Sequence, residues 1–166
     1  MKPGEFFRNE ANFQEWLVKN ITKYGGHSQS FSGDDRYPGI PDLSIASLGV
    51  DTWAEVKLWR KEYYIHTPIK DIMKSTSERQ LTAQQRKWLM ERADNGSAMC
   101  GVLVCWRDHS TRYISFIPIQ ELGRISEWNL SGLALSRFSD TLDSFLSGKT
   151  NIAQFLFSIR TDRGSY

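Results

Sequence analysis

The sequence contains few of the residues from which disulfide frameworks and zinc sites are built. Its 166 residues include two cysteines and three histidines. Cys100 and Cys105 lie at an odd spacing on one predicted strand, so their side chains point to opposite faces and we expect them to remain unpaired. We therefore expect a reduced protein without a zinc site.

Long apolar runs are absent as well. No run approaches the length that spans a bilayer, and the first residues, M-K-P-G-E-F-F-R, contain no signal-peptide core. Hydrophobic residues make up 40% and charged residues 24% of the chain, which is ordinary for a globular domain. These features predict a cytoplasmic protein with no membrane partner.

The chain also lacks a strong overall charge, but its charges are unevenly distributed. The net charge is only +2. Between Lys57 and Arg92, nine Lys and Arg residues face four Asp and Glu residues, so this segment alone carries +5. A local positive excess attracts polyanions such as nucleic acid, although a solvated helix face and a basic loop would produce the same count.

The most informative stretch, G-I-P-D-L-S-I-A-S-L-G-V-D-T-W-A-E-V-K, runs from Gly39 to Lys57. Two alternating segments, 43–48 and 52–58, flank a turn near 49–51 and predict a β-hairpin. Alternation places Trp53, Glu55 and Lys57 on one face of the second strand. In the expected register, Asp42 lies beside Glu55.

Two neighbouring carboxylates repel each other, and burial raises the cost of their charge. A divalent cation such as Mg²⁺ relieves both problems, since it prefers oxygen ligands. Lys57 beside such an ion can position a water molecule and stabilise charge on a phosphate. The alternative interpretation is an ordinary Glu–Lys pair on a solvated hairpin face, to which the Trp53 side chain is poorly suited.

The residues P-D, a spacer and E-V-K resemble the signature of the PD-(D/E)xK nuclease superfamily. The longer pattern G-I-P-D-L, A-E-V-K and L-T-A-Q-Q-R-K-W-L is similar to the virus-type replication-repair nuclease branch, and phage Holliday-junction resolvases carry a similar core. The resemblance covers roughly residues 9–106. It implies a restriction-endonuclease-like α/β fold and a Mg²⁺-dependent DNA endonuclease in which Mn²⁺ substitutes.

The resemblance also implies roles for particular residues. Asp42 and Glu55 would bind the metal, with the Val56 carbonyl as a further ligand. In that family a glutamate of the first helix often completes the site, and Glu10 is our choice for it, because Glu15 lies nearly opposite the apolar stripe of the predicted helix 9–24. Gln85 would face the site from the next helix, with Gln84 as the adjacent alternative.

Several basic residues are candidates for DNA binding. They are Arg36, Arg60, Lys61, Lys70, Lys74, Arg79 and Arg86. Most fall in the polar segment 59–80, which we interpret as a long connection that contacts nucleic acid. Tyr63 and Tyr64 either stack on an unpaired base or pack internally.

The remaining elements predict an α/β architecture with a mixed sheet flanked by helices. Segments 98–106 and 111–119 are predicted strands, and a helix that begins after Thr82 is predicted to end at Asn95–Gly96 with a left-handed cap. We expect a nuclease core at 1–120 and a C-terminal helical extension at 121–166. Within that extension one helix is predicted over 133–146 and a second from 152 onward.

The resemblance thus favours a structure-specific enzyme of DNA recombination or repair that acts on branched DNA. Two cuts require two active sites, so a homodimer is expected, with the C-terminal helices either completing the core or forming its interface. If the chain is phage-encoded, it would act in the host cytoplasm. A restriction-type or nicking endonuclease, a catalytically silent nucleic-acid-binding module and a purely structural protein are the alternatives.

Overall fold

A computed structural model of the chain describes residues 1–2, 4–31, 39–74, 80–96 and 98–161. Its helices are α1 (Glu10–Lys23), α2 (Ile69–Lys74), α3 (Ala83–Asn95), α4 (Leu122–Ile125), α5 (Leu130–Leu135), α6 (Leu142–Leu146) and α7 (Ile152–Thr161). Its strands are β1 (His27–Ser30), β2 (Leu43–Ser47), β3 (Val50–Tyr63), β4 (Met99–Asp108), β5 (Arg112–Pro118) and β6 (Ser139–Thr141), and a short 3₁₀ helix occupies Ile119–Glu121.

The six strands form one sheet in the order in which they occur along the chain. Strands β3 and β4 are parallel, and every other neighbouring pair is antiparallel. The parallel pair requires a crossover, which contains α2 and α3. This mixed sheet flanked by helices confirms the predicted fold class.

The core occupies both faces of the central strands. Residues 54–59 of β3 and 99–106 of β4 are buried without interruption, as expected where both faces of a strand are covered. Helices α1 and α7 pack together and against β3, while α3 packs against β4. Cys100 and Cys105 are both buried, and neither forms a disulfide bond within the described residues, as predicted.

The first helix follows its sequence pattern closely. Asn9 caps its start by accepting a hydrogen bond from the Asn12 amide. Phe13, Leu17 and Ile21 are fully buried, so the predicted apolar stripe is its core-facing side. No helix among the described segments is long and apolar enough to cross a membrane.

Two predictions about the middle of the chain are wrong. The segment 59–80 is not simply a long polar connection, because β3 continues to Tyr63. The short helix that the sequence allows over Ile69–Met73 is present as α2, which begins at Ile69. Trp59, Ile69 and Ile72 are buried, so part of this segment belongs to the core. Helix α3 also ends without a left-handed cap, since Gly96 is extended at φ −140° and ψ 177°.

The single helix predicted over 133–146 is wrong as well. That segment contains α5, the edge strand β6 and α6, and β6 extends the sheet by pairing with β5. Leu135, one of the apolar residues whose helical spacing predicts that helix, is 87% exposed. The apolar residues of this segment have helical spacing, but Ser139–Thr141 pair with the edge of the sheet at β5 and form a strand instead. Buried residues of α5, α6 and α7 belong to the same hydrophobic core as those of the strands.

Candidate active site

The hairpin formed by β2 and β3 has the predicted register. Leu43 lies opposite Ala54, so Asp42, one residue earlier, is opposite Glu55. The Val56 amide donates a hydrogen bond of 2.9 Å to Asp42 Oδ2. The carboxylate at the start of β2 is therefore tied to the backbone of β3 beside the second carboxylate.

Gly39 fixes the path by which the chain enters β2. Its φ is +85°, a conformation that favours glycine, and a Cβ placed there would lie 2.7 Å from the carbonyl oxygen of Gln84. The chain thus passes directly against the first turn of α3 before it reaches Asp42. Only glycine permits this close approach.

Glu55 is almost completely withdrawn from solvent, at 3% exposure. Its Oε1 accepts a hydrogen bond from Gln85 Nε2 at 2.9 Å and lies 3.9 Å from Lys57 Nζ. Its Oε2 is buried, and no hydrogen-bond donor within the described residues reaches it. An ionised carboxylate in this position has half of its acceptor capacity unused, which is costly.

Burial is the main reason that the pKa of Glu55 is raised, from 4.5 to about 8. The negative charge of Asp42 raises this pKa further, and so do a hydrogen bond between the two carboxyl groups and the charge of Glu10. Lys57 acts in the opposite direction. Without a cation, the Glu55 carboxyl group therefore keeps its proton at neutral pH.

Lys57 is the basic member of the site and is only 7% exposed. It lies two residues after Glu55, so strand alternation places both side chains on the same face. This buried arrangement contradicts the alternative of an ordinary ion pair on a solvated hairpin face.

Gln85 makes contacts with two different elements. Its side-chain Oε1 accepts a hydrogen bond from the main-chain N–H of Thr82, and the Thr82 hydroxyl accepts one from the main-chain N–H of Gln85. Together these two bonds form a capping box at the start of α3. Its Nε2 donates to Glu55. The Gln85 side chain is therefore directed toward the candidate site, where its amide contacts the Glu55 carboxyl group. The pattern T-A-Q-Q carries the signal for this capping box.

An aromatic cluster that the sequence analysis did not identify adjoins the carboxylates. Phe31 stacks on Trp53 with ring centroids 5.5 Å apart, and Trp88 lies 5.0 Å from Trp53 on its α3 side. The Arg92 guanidinium lies over the Trp53 ring. Trp88 and Arg92 follow Gln85 at helical intervals of three and seven residues, which is the spacing that could have revealed the cluster.

The donor set fits a divalent cation. The unpartnered Oε2 of Glu55 and the adjacent Asp42 carboxylate are hard oxygen ligands in a site where two negative charges are otherwise unfavourable. Glu10 is close enough to raise the Glu55 pKa. Within the described segments, however, no three His, Cys, Asp or Glu side chains form a metal cluster, so main-chain oxygen and water would have to complete the coordination.

The two glutamates of α1 have different surroundings. Glu15 forms a surface ion pair of 3.1 Å with Lys19, and its side chain is 62% exposed. Glu10 is only partly exposed and acts electrostatically on Glu55. Of the two, Glu10 is the glutamate whose charge acts on Glu55.

The predicted basic residues fall into separate groups. Lys70, Lys74 and Arg86 line one cleft between α2, the start of α3 and α4. Arg60 and Lys61 lie near the end of β3, where the Arg60 carbonyl accepts from Arg107. Arg36 and Arg79 lie outside the described residues.

The adjacent tyrosines also differ. Tyr63 is buried, which agrees with the packing alternative, whereas Tyr64 is 64% exposed. The Tyr64 ring makes an edge contact with His66. Only Tyr64 is therefore available to a ligand in this structure.

Comparisons with known proteins complete the description. No protein-family model matches the chain, and a search of curated proteins also finds no match. Among solved structures, the chain is similar to Archaeoglobus fulgidus Hjc, a Holliday junction resolvase from an archaeal hyperthermophile. The two share 21% sequence identity with a TM-score of 0.48, over 87% of this chain and 97% of the other.

Proposed function

We propose that this protein is a metal-dependent endonuclease of the PD-(D/E)xK type that hydrolyses DNA phosphodiester bonds. The observation that carries the proposal is the buried Glu55, which contacts Gln85 and Lys57 while its second oxygen has no donor. A buried carboxylate with a raised pKa beside a second carboxylate and an ammonium group is typical of a catalytic centre.

Asp42 and Glu55 would hold Mg²⁺ or Mn²⁺, with the Val56 carbonyl as a further ligand and Glu10 as an outer carboxylate. When bound, the metal would supply positive charge that stabilises the charge developing during phosphodiester hydrolysis. Lys57 then holds the attacking water and stabilises the charge that develops on the phosphate. Attack in line leaves a 5′-phosphate, as the resemblance implies.

Gln85 has an orienting role in this proposal. Its donated hydrogen bond holds the Glu55 carboxylate with Oε2 directed away from Gln85, and the capping box holds the amide itself. Rigid orientation of a ligating carboxylate by a neighbouring hydrogen bond strengthens metal binding.

Branched DNA is the proposed substrate, and the protein would act in recombination or repair in the cytoplasm, or in the host cytoplasm if it is encoded by a phage. A homodimer would provide the two active sites that paired cuts require. The virus-type replication-repair branch remains our more specific family hypothesis. Its support is the G-I-P-D-L, A-E-V-K and L-T-A-Q-Q string.

Cleavage of a four-way junction and of a linear duplex in Mg²⁺, with wild type and Lys57→Ala, tests the proposal. We expect the wild type to cut the junction preferentially and Lys57→Ala to bind it without cutting. Equal cutting of both substrates would favour a restriction-type or nicking enzyme. Binding without cutting by wild type would instead indicate a silent nucleic-acid-binding module.

A further inference from the structure

A group of positive charges outside the carboxylate site surrounds a cleft of about 310 Å³. Lys70 and Lys74 of α2 and Arg86 of α3 form its charged part. Lys70 is partly neutralised by Glu127 at 3.5 Å. No acidic partner of Lys74 or Arg86 is found among the described residues, so the described lining of the cleft has a positive excess.

The rest of the cleft wall has a different character. Met73 of α2, Leu81 before α3 and Leu122 of α4 contribute apolar surface, and Leu81 and Leu122 are themselves well buried. Gly123 and Ser126 complete the α4 side. A site that combines cations with a recessed apolar wall suits a ligand that has an anionic group and a flat apolar group.

The position of the cleft connects it to the candidate active site. Arg86 directly follows Gln85, whose amide bonds to Glu55. Both sites therefore share the first turn of α3, so a DNA strand at the carboxylates could extend into the cleft.

We infer that this cleft binds one unpaired nucleotide of the DNA, with its phosphate against Lys70, Lys74 and Arg86 and its base against Met73, Leu81 and Leu122. The inference rests on the proposed function, because the nuclease substrate supplies the strand. A volume of about 310 Å³ lies at the lower end of small-ligand sites, which is adequate for a single nucleotide and too small for a duplex. The nucleotide comes either from a strand end or from an unpaired position within a strand.

Gly123 offers a way to block the cleft without disturbing the fold. A Cβ at this helical position would meet no atom within 4 Å. Gly123→Phe should therefore place a ring in the cleft, and Gly123→Ala is its small control. Arg86→Ala removes a cleft cation, and Lys87→Ala is its matched control on the same helix, since Lys87 pairs with Glu91 instead.

The test measures fluorescence anisotropy in EDTA with three labelled DNAs: a blunt duplex, a duplex with a single-stranded tail and a duplex with one unpaired internal base. We expect wild type to bind at least one unpaired form about tenfold tighter than the blunt duplex. Gly123→Phe and Arg86→Ala should remove that preference, whereas Gly123→Ala and Lys87→Ala should retain it. Preference for the tail alone identifies a strand end as the source, and preference for both unpaired DNAs identifies any unpaired nucleotide.

Two results would overturn the inference. One is equal binding of all three DNAs by wild type, and the other is a preference that survives Gly123→Phe. Junction cleavage in Mg²⁺ by the same variants separates this failure from that of the proposed function. If wild type cuts but shows no preference for unpaired DNA, only the cleft inference fails. If the preference is present and wild type does not cut, the nuclease proposal fails.

Discussion

Two glutamates of β3 show how differently the same residue can behave on one strand. Glu55 and Glu62 each lie 3.9 Å from the nitrogen of a cation, Lys57 in one case and Arg107 in the other. The Glu55 side chain is 5% exposed and the Glu62 side chain is 53% exposed. Glu62 has a second partner, His109 at 3.3 Å, whereas Glu55 has an unpartnered oxygen.

The comparison teaches that burial, rather than the distance to a cation, distinguishes the candidate active site. Solvent screens the Glu62 pair, and exposed ion pairs contribute little to stability. Around Glu55 the screening is lost, so the second carboxylate and the missing donor dominate its chemistry. Three experiments test this difference with Glu62 as the internal reference, and a fourth tests the capping box that orients Gln85 toward Glu55.

The largest effect is expected on catalysis. Glu55→Gln should lower metal-dependent cleavage of a four-way junction by more than about a hundredfold, because even outer-shell partners of metal ligands cost 10–100-fold. Glu62→Gln should retain wild-type cleavage. Initial rates in Mg²⁺ measure both. Equal loss in the two variants would contradict the distinct role of Glu55.

The next effect concerns stability as a function of pH in EDTA. The pKa of Glu55 is about 8 in the folded protein and lower when unfolded, so the folded state holds the proton more tightly. Stability should therefore fall as pH rises between about 4.5 and 8, by about 2 kcal/mol from pH 6 to pH 8. Urea unfolding of wild type and Glu55→Gln at both pH values measures this.

Subtraction of the Glu55→Gln result removes the contributions of other titrating groups. Glu62→Gln should show the same pH-dependent loss as wild type. A wild-type curve that runs parallel to that of Glu55→Gln would show that Glu55 does not carry this titration.

The affinity for metal should depend on the same Glu55 proton. Glu55 must lose its proton to bind Mg²⁺. The affinity for Mg²⁺ should therefore increase about tenfold for each unit by which the pH is raised, up to about pH 8. Isothermal titration of the protein with MgCl₂ at pH 6 and pH 7 measures the change. Glu62→Gln should preserve this dependence, and an affinity independent of pH would argue against Glu55 as a ligand.

The smallest effect is expected from the capping box that orients Gln85. Thr82→Ala should destabilise the protein by about 1 kcal/mol, as loss of an N-cap does, and should lower cleavage by up to about tenfold. Thr141, which caps α6 by accepting from the Ser144 amide, provides the control. Thr141→Ala should cost similar stability and leave cleavage unchanged, as measured by urea unfolding and initial rates.

The arrangement of Asp42, Glu55 and Lys57 was predictable from the sequence because it depends on local rules. Strand alternation puts Glu55 and Lys57 on one face, and the hairpin turn sets Asp42 opposite Glu55. Helical spacing identifies the buried side of α1 and separates Glu10 from Glu15. These relations require only neighbouring residues.

Other features depend on contacts between distant segments. Trp88 reaches Trp53 only after α3 has crossed back over the sheet, and β6 is a strand because β5 provides an unpaired edge. The end of β3 likewise depends on pairing of Glu62 and Tyr63 with β4. In each case tertiary pairing overrides the local pattern.

The double contact of Gln85 has one more consequence, which concerns the orientation of its amide. A carboxamide usually has two orientations of nearly equal shape, related by exchange of oxygen and nitrogen. Here the exchange would turn NH₂ toward the main-chain N–H of Thr82, so that two donors would face each other. It would also turn the oxygen toward Glu55, which repels that oxygen when Glu55 is ionised, as it must be to bind a metal. The start of α3 and the buried Glu55 thus select one orientation of the Gln85 side chain together. Hydrogen-bond polarity, rather than shape, determines that orientation.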